Sequence, residues 1–246
     1  MRPWEQAAAL YKAGKAQEVL DYFVGLTDDG VAQFAAAAIL LDHGNLALAL
    51  EHANRARHLV ESNSADNYQR LTVSVGITEE LRLELAATPE GVTLLIVEIQ
   101  QRAGDNDQAI QNLRALLSQH GDDAIVKLSL VELLYDRACN DDNLHEVIRL
   151  AKRTEATDLA CVGLILYKAR ALYKLGMYDG IPPIMEAIWD ARQPLPRDLT
   201  LALRYQLGLT YEALGQPESA RRQYHHIYAE DPDYEDITVR LRRLSS

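Results

Sequence analysis

The chain is poor in the residues that small folds use for cross-links and that enzymes use for redox or metal chemistry. Two cysteines occur in 246 residues. Cys139 and Cys161 form no close-spaced metal or redox motif. Nothing calls for a disulfide, and a reducing cytoplasm is the default compartment. Phenylalanine appears twice, and proline and glycine number only 8 and 13, as expected of a chain that is mostly helix. Positive charge is also short. With 25 Lys and Arg against 36 Asp and Glu the net charge is −11, which disfavours nucleic-acid binding through a basic surface. The arginines gathered near the C-terminus, Arg221, Arg222, Arg240, Arg242 and Arg243, have Glu230, Asp231, Asp233, Glu235 and Asp236 as neighbours and read as a solvated face.

Long apolar runs are absent too. The longest, Phe34 to Leu41, falls far short of the roughly 20 residues that span a bilayer. The opening MRPWEQ lacks the apolar core of a signal peptide. These absences predict a soluble cytoplasmic protein with no membrane span.

Catalytic signatures are missing in the same way. Seven histidines are present, but adjacent His225 and His226 point about 100° apart on a helix and cannot share an ion. His52 and His58 also fall on different faces, so the histidines read as surface or groove residues. The acidic strings at Gly104–Gln108, Asn140–Asn143 and Asp231–Asp236 lack the glycine and terminal glutamate of a calcium loop. They read as turns and caps. No phosphate loop, nucleophile elbow or Cys–His pairing occurs. No catalytic residue, metal site or cofactor is implied, and the chain reads as a non-enzyme.

What the sequence does have is Ala and Leu at helical spacing, in repeating units. The clearest unit starts at Leu201 and carries Leu207, Gly208, Tyr211, Gly215, Ala220, Tyr224 and Pro232. A first helix ends at the Leu-Gly-Gln-Pro turn; a second runs from about Glu218 to Ala229 and stops at Asp231-Pro232. Aligning on the small-residue turn finds weaker copies around Gly176, Gly104, Gly44 and Gly14. A further copy, Val131 and Leu134 followed by Val147 and Ala151, requires a polar insertion, CNDDNLHE, between its helices.

These landmarks resemble the tetratricopeptide repeat, a pair of antiparallel helices in about 34 residues. In this copy Arg204 stands where the family has a large residue early in the first helix. The resemblance implies an all-α fold: an α-solenoid of antiparallel helical pairs in a right-handed superhelix, with a C-terminal capping helix. As one domain over residues 1–246 its units fall at about 1–30, 31–61, 62–89, 90–123, 124–161, 162–200 and 201–233, with the cap at 234–246. The stretch 62–89 fits least, since Thr72, Val73, Val75 and Ile77 form a β-branched run around Gly76. It is read as a degenerate helical pair, Asp66 to Val75 and Thr78 to Ala87; a short strand or an irregular excursion is the alternative. In the cap, Ile237, Leu241 and Leu244 share one face and arginines the other.

In such an array the first helices line a concave groove. The register then puts Trp4, Tyr11, Phe34, Tyr135, Tyr173 and Tyr205 inward, with Arg170 and Lys174 among the charges between them. Tyr, Trp and Arg dominate binding at many interfaces. The function implied is a scaffold or adaptor that holds a peptide or helix of another protein in this groove. Tyr135, Tyr173 and Tyr205 would anchor the ligand, and Arg170 and Lys174 would set its orientation. The alternatives are a regulatory domain closing on a small molecule and, behind it, an enzyme with no local signature. The Lys, Asn and Arg set with which some members of the family grip a C-terminal carboxylate is missing, its positions holding Trp4, Ala8, Ala38, Leu94 and Glu98.

Overall fold

The computed structural model describes residues 16–62, 72–137, 141–190 and 194–244. They fall into two compact units: one from the described residues of Met1–Ile77 with Arg82–Gly121, the other from Thr78–Leu81 with Asp122–Ser246. The first holds α1 (Ala16–Val24), α2 (Gly30–Asp42), α3 (Leu46–Ser62), α4 (Pro89–Arg102) and α5 (Asn106–His120). Strands β1 (Thr72–Thr78) and β2 (Leu81–Ala86) pair between α3 and α4. The second unit holds α6 (Ala124–Asp136), α7 (Asp141–Leu150), α8 (Leu159–Lys174), α9 (Ile181–Asp190), α10 (Arg197–Ala213), α11 (Pro217–Glu230) and α12 (Ile237–Leu244). A 3₁₀ turn, Tyr178–Gly180, leads into α9.

Four of the helical pairs, all but α6–α7, share one turn chemistry. Gly44, Gly104, Gly176 and Gly215 all lie in the left-handed region, with φ between 68 and 80°. The glycine N–H bonds to the carbonyl three residues back, and the next N–H to the carbonyl five residues back: Gly215 to Glu212 at 3.0 Å and Gln216 to Tyr211 at 2.8 Å in the last pair. This is the Schellman arrangement, which satisfies the orphan carbonyls at a helix end. The turn glycines chosen as landmarks within the described residues are therefore the ones that reverse the chain.

Packing follows the same plan in each unit. First helices pack on their own second helix and on the next first helix: α2 on α3 and α4, α6 on α7 and α8, α8 on α9 and α10. Small residues set the closeness. A Cβ on Gly163 would come within 2.8 Å of Leu128 Cδ2, and one on Gly208 would press into the Tyr224 ring, 2.8 Å from Cδ1 and nearer still to Cε1. At the far end Leu201, Ala220, Tyr224, Ile227 and Ile237 form one buried cluster, and Leu241 and Leu244 close over it. The helix placed here as a cap does cover the last pair.

Three expectations are corrected. Residues 72–86 form a two-stranded sheet, not a helical pair. Val75, Ile77, Leu81 and Leu85 are buried, so the β-branched residues alternate with period 2 and the strand wins. Thr78-Glu79-Glu80, read as a helix start, is instead the tight turn, closed by the Thr78 hydroxyl on Glu80 Oε2 at 3.1 Å. Second, the polar string expected between helices lies mostly inside one: α7 begins at Asp141, whose acidic first turn suits the positive end of the helix dipole. Third, His52 is 5% exposed, not a surface residue; its Nδ1 meets Gln33 Oε1 at 2.8 Å.

Candidate functional site

The second unit contains a cavity of about 550 Å³. Its wall comes from three successive first helices. The last turn of α6 contributes Tyr135, α8 contributes Tyr167 and Arg170 one turn apart, and α10 contributes Tyr205, Gln206 and Leu209. Tyr234, on the segment leading to α12, completes a set of four tyrosines. Two edge-to-face pairs order them: Tyr135 with Tyr167 at 5.5 Å between ring centroids, and Tyr205 with Tyr234 at 5.8 Å. That geometry is the favourable one for aromatic quadrupoles.

Charge is one-sided. Glu79, Glu80, Glu132, Asp136, Asp198 and Glu235 line the cavity, and Arg170 is its one lining cation. Arg170 already has partners. Its guanidinium pairs with Glu80 and lies over the Tyr167 ring at 5.1 Å from the centroid. Lys174, on the same helix, places its Nζ 3.7 Å from the centre of the Tyr135 ring. Both cations expected to orient a ligand are thus engaged by the chain's own groups. Burial, and next to it the neighbouring Glu79 carboxylate, raises the Asp136 carboxyl above its ordinary value. Burial pushes the Tyr205 and Tyr234 hydroxyls up to about 12, helped by the hydrogen bond to Asp236 in the first case and by Glu235 in the second. Both therefore stay protonated near neutrality and can donate hydrogen bonds.

A polar network ties this wall to the last helix. The Tyr205 hydroxyl donates to Asp236 Oδ1 at 2.8 Å. Arg240 donates from Nε to the same oxygen at 2.6 Å and from Nη1 to Glu212 Oε1 at 2.8 Å. The Tyr224 hydroxyl also donates to that Glu212 oxygen.

Of the residues placed in a groove by register, Tyr135, Arg170 and Tyr205 come together at the cavity. Tyr173 packs at a tilt against Tyr178 instead, with ring centroids 5.2 Å apart, and Lys174 is exposed above Tyr135. Phe34 is a correction: it is 0% exposed and sits in the core of the first unit. Nearly all of α2 is buried, so no side of that helix is left for an open groove. Trp4 and Tyr11 lie outside the described residues. Sequence reasoning missed Tyr167, Gln206, Tyr234 and the Glu79-Glu80 turn. Tyr167 could have been found, being three residues before Arg170 on the same helical face; the turn could not, because its helical assignment hid it.

Among the described residues no group of His, Cys, Asp and Glu is arranged to hold a metal ion, and no helix is long and apolar enough to cross a membrane.

No protein-family model matches the sequence, and no curated protein matches it. Solved structures do. The N-terminal domain of the EccA1 ATPase from the ESX-1 secretion system of Mycobacterium tuberculosis superposes with a TM-score of 0.69 at 13% identity, covering 99% of this chain and 88% of that one. A tetratricopeptide repeat protein from Parabacteroides merdae gives 0.57 at 16%, covering 98% and 82%. A thermophilic tetratricopeptide repeat protein of Thermus thermophilus gives 0.54 at 16%, covering 88% and 98%. At these identities the likeness is one of fold: the chain is an all-α, tetratricopeptide-like helical-repeat protein.

Proposed function

We propose that this protein is a scaffold or adaptor that holds a segment of another protein against the first helices of its second unit, and that it is not an enzyme. The single observation that carries the reading is the convergence of Tyr135, Tyr167, Arg170 and Tyr205 from α6, α8 and α10 on one cavity of about 550 Å³. That volume lies within the range of built ligand sites. Large rings with a polar tip give contact area at small entropic cost. The helical-repeat fold supports a protein-interaction role. In this reading the soluble chain works in the cytoplasm as a single repeat domain, with Tyr135 and Tyr205 as anchors and Tyr173 and Lys174 at the rim.

The test is selection of a random displayed peptide library on the immobilised full-length protein, repeated with Tyr135→Ala and Tyr234→Ala variants shown by circular dichroism to fold. Peptides retained by the wild type and lost from both variants support the reading. Equal retention by all three proteins moves the binding site away from the cavity. No enrichment, together with heat stabilisation by a small metabolite, would favour the small-molecule sensor.

A further inference from the structure

Resting on the peptide-binding reading, we propose that the cavity selects a basic segment, an extended peptide that inserts a lysine or arginine side chain between the tyrosines and the carboxylates of this wall. Four independent features point there.

The first is charge complementarity. Six carboxylates line the cavity, and the one arginine among them is closed off by Glu80 and Tyr167. Among the described residues Glu79, Asp136 and Glu235 make no ion pair, and all three are exposed. Asp136 is harder to ionise because water is partly excluded and Glu79 is near, an effect that Lys174 and Arg170 offset only in part. An incoming cation relieves that repulsion, whereas an acidic ligand adds to it.

Next come the rings. Tyrosine faces in this region already hold cations: Lys174 on Tyr135 at 3.7 Å, Arg170 on Tyr167 at 5.1 Å and Arg240 on Tyr205 at 5.7 Å. The Tyr234 ring carries none among the described residues, although it lines the same cavity and stands beside Glu235. It offers a further face for a cation.

Gln206 supplies a third indication. It lines the cavity and is 6% exposed, and its Nε2 has no hydrogen-bond partner. A buried donor without an acceptor is costly. Rotation of the Gln206 side chain, whose Nε2 is itself shut off from solvent, presents that donor to a peptide carbonyl beside the inserted side chain, whereas a free metal cation accepts no hydrogen bond.

Finally there is size. At about 550 Å³ the space exceeds one lysine or arginine side chain and leaves room for the adjoining backbone.

The experiment is fluorescence anisotropy of the full-length protein with three labelled nonapeptides, alternating glycine with lysine, glutamine or glutamate. Two triple variants are compared. One neutralises the cavity, Glu79→Gln with Asp136→Asn and Glu235→Gln. The other removes three exposed carboxylates outside its lining, Asp142→Asn with Glu155→Gln and Asp179→Asn. All six side chains are exposed and the changes nearly isosteric, so both proteins keep their fold. The expected result is that the lysine peptide alone binds the wild type, weakens with added salt, and loses about tenfold in affinity in the cavity variant but not in the other. Equal loss in both variants would mean diffuse attraction to an acidic protein and overturns the proposal. Tighter binding of the glutamine or glutamate peptide refutes the cationic ligand while leaving peptide binding intact. If no peptide of any charge binds, the peptide-binding reading itself falls. Spermidine that competes as well as the lysine peptide at equal charge would replace the peptide by a free polyamine.

Discussion

The Tyr224 ring lies directly against Gly208, so close that a Cβ at 208 would fall 2.8 Å from Cδ1 and nearer still to Cε1. One hydrogen atom in place of a methyl group thus sets the distance between α10 and α11. Gly208→Ala should cost about 1–3 kcal/mol by overpacking. Combining it with Tyr224→Leu should recover part of that loss, because the two positions share one space. Urea denaturation of the two single variants and the double variant measures the coupling; strictly additive losses would mean that ring and glycine do not constrain each other.

The turn glycines are required by backbone conformation, not by crowding. Nothing lies within 4 Å of a Cβ built on Gly215, yet its φ is +68°. Gly215→Ala should cost about 1–2 kcal/mol and Gly215→Asn less, since asparagine tolerates the left-handed region better. Gly180 is equally uncrowded and has no positive φ, so Gly180→Ala should leave stability unchanged or raise it slightly. Thermal unfolding of the three variants separates the two situations.

His52 makes the stability of the first unit depend on pH. The Gln33 amide nitrogen donates to the Leu26 carbonyl at 3.0 Å, and its oxygen faces His52 Nδ1 at 2.8 Å. Nδ1 therefore carries the proton of a neutral ring. Burial, followed by the nearby Arg55 and opposed by Glu51, holds the imidazole below its ordinary value of 6.5. The unfolded chain takes up the second ring proton, on Nε2, more readily than the folded one. The stability contribution is complete above about pH 6.5 and is lost as pH falls from there through the folded value. A melting temperature followed from pH 8 to 5 should drop more steeply for the wild type than for His52→Asn, which keeps a donor but cannot be protonated. Parallel curves would remove His52 as the source.

Arg240 fastens the last helix through Glu212 and Asp236. Removing it strands two carboxylates that are half-buried beside Tyr224 and Tyr205. Arg240→Met should cost about 1–3 kcal/mol and speed hydrogen exchange in 237–244 before the rest of the second unit. Uniform acceleration throughout that unit would mean that α12 does not open separately.

Much of this architecture was legible because its governing positions are small residues. Gly176, Gly208, Gly215 and Ala220 mark turn and contact without any alignment, and Ile237, Leu241 and Leu244 mark the closing helix by spacing alone. The hairpin was obscured because Thr78-Glu79-Glu80 is also a good helix start. Only the alternation through Val73, Val75 and Ile77, continued by Leu81 and Leu85, distinguishes the two. Phe34 was misplaced for a related reason. In α2 alanines surround it on every side, so spacing could not say which face was open, and none is. At the cavity, helical register brought out Tyr135, Arg170 and Tyr205. Tyr234 and the Glu79-Glu80 turn arrive from non-helical segments, where register says nothing.

The four glycine turns carry a consequence for how many different sequences this architecture can accept. Each reverses the chain with its own main-chain N–H and C=O groups, so it asks the sequence for one residue without a Cβ and leaves its neighbours unconstrained. Helices joined in this way can exchange almost every side chain in step with their packing partners and still meet at the same angle. The same fold then accommodates chains that share only 13–16% of their residues with this one. The molecule's grammar resides in its peptide groups, and its vocabulary is free to change.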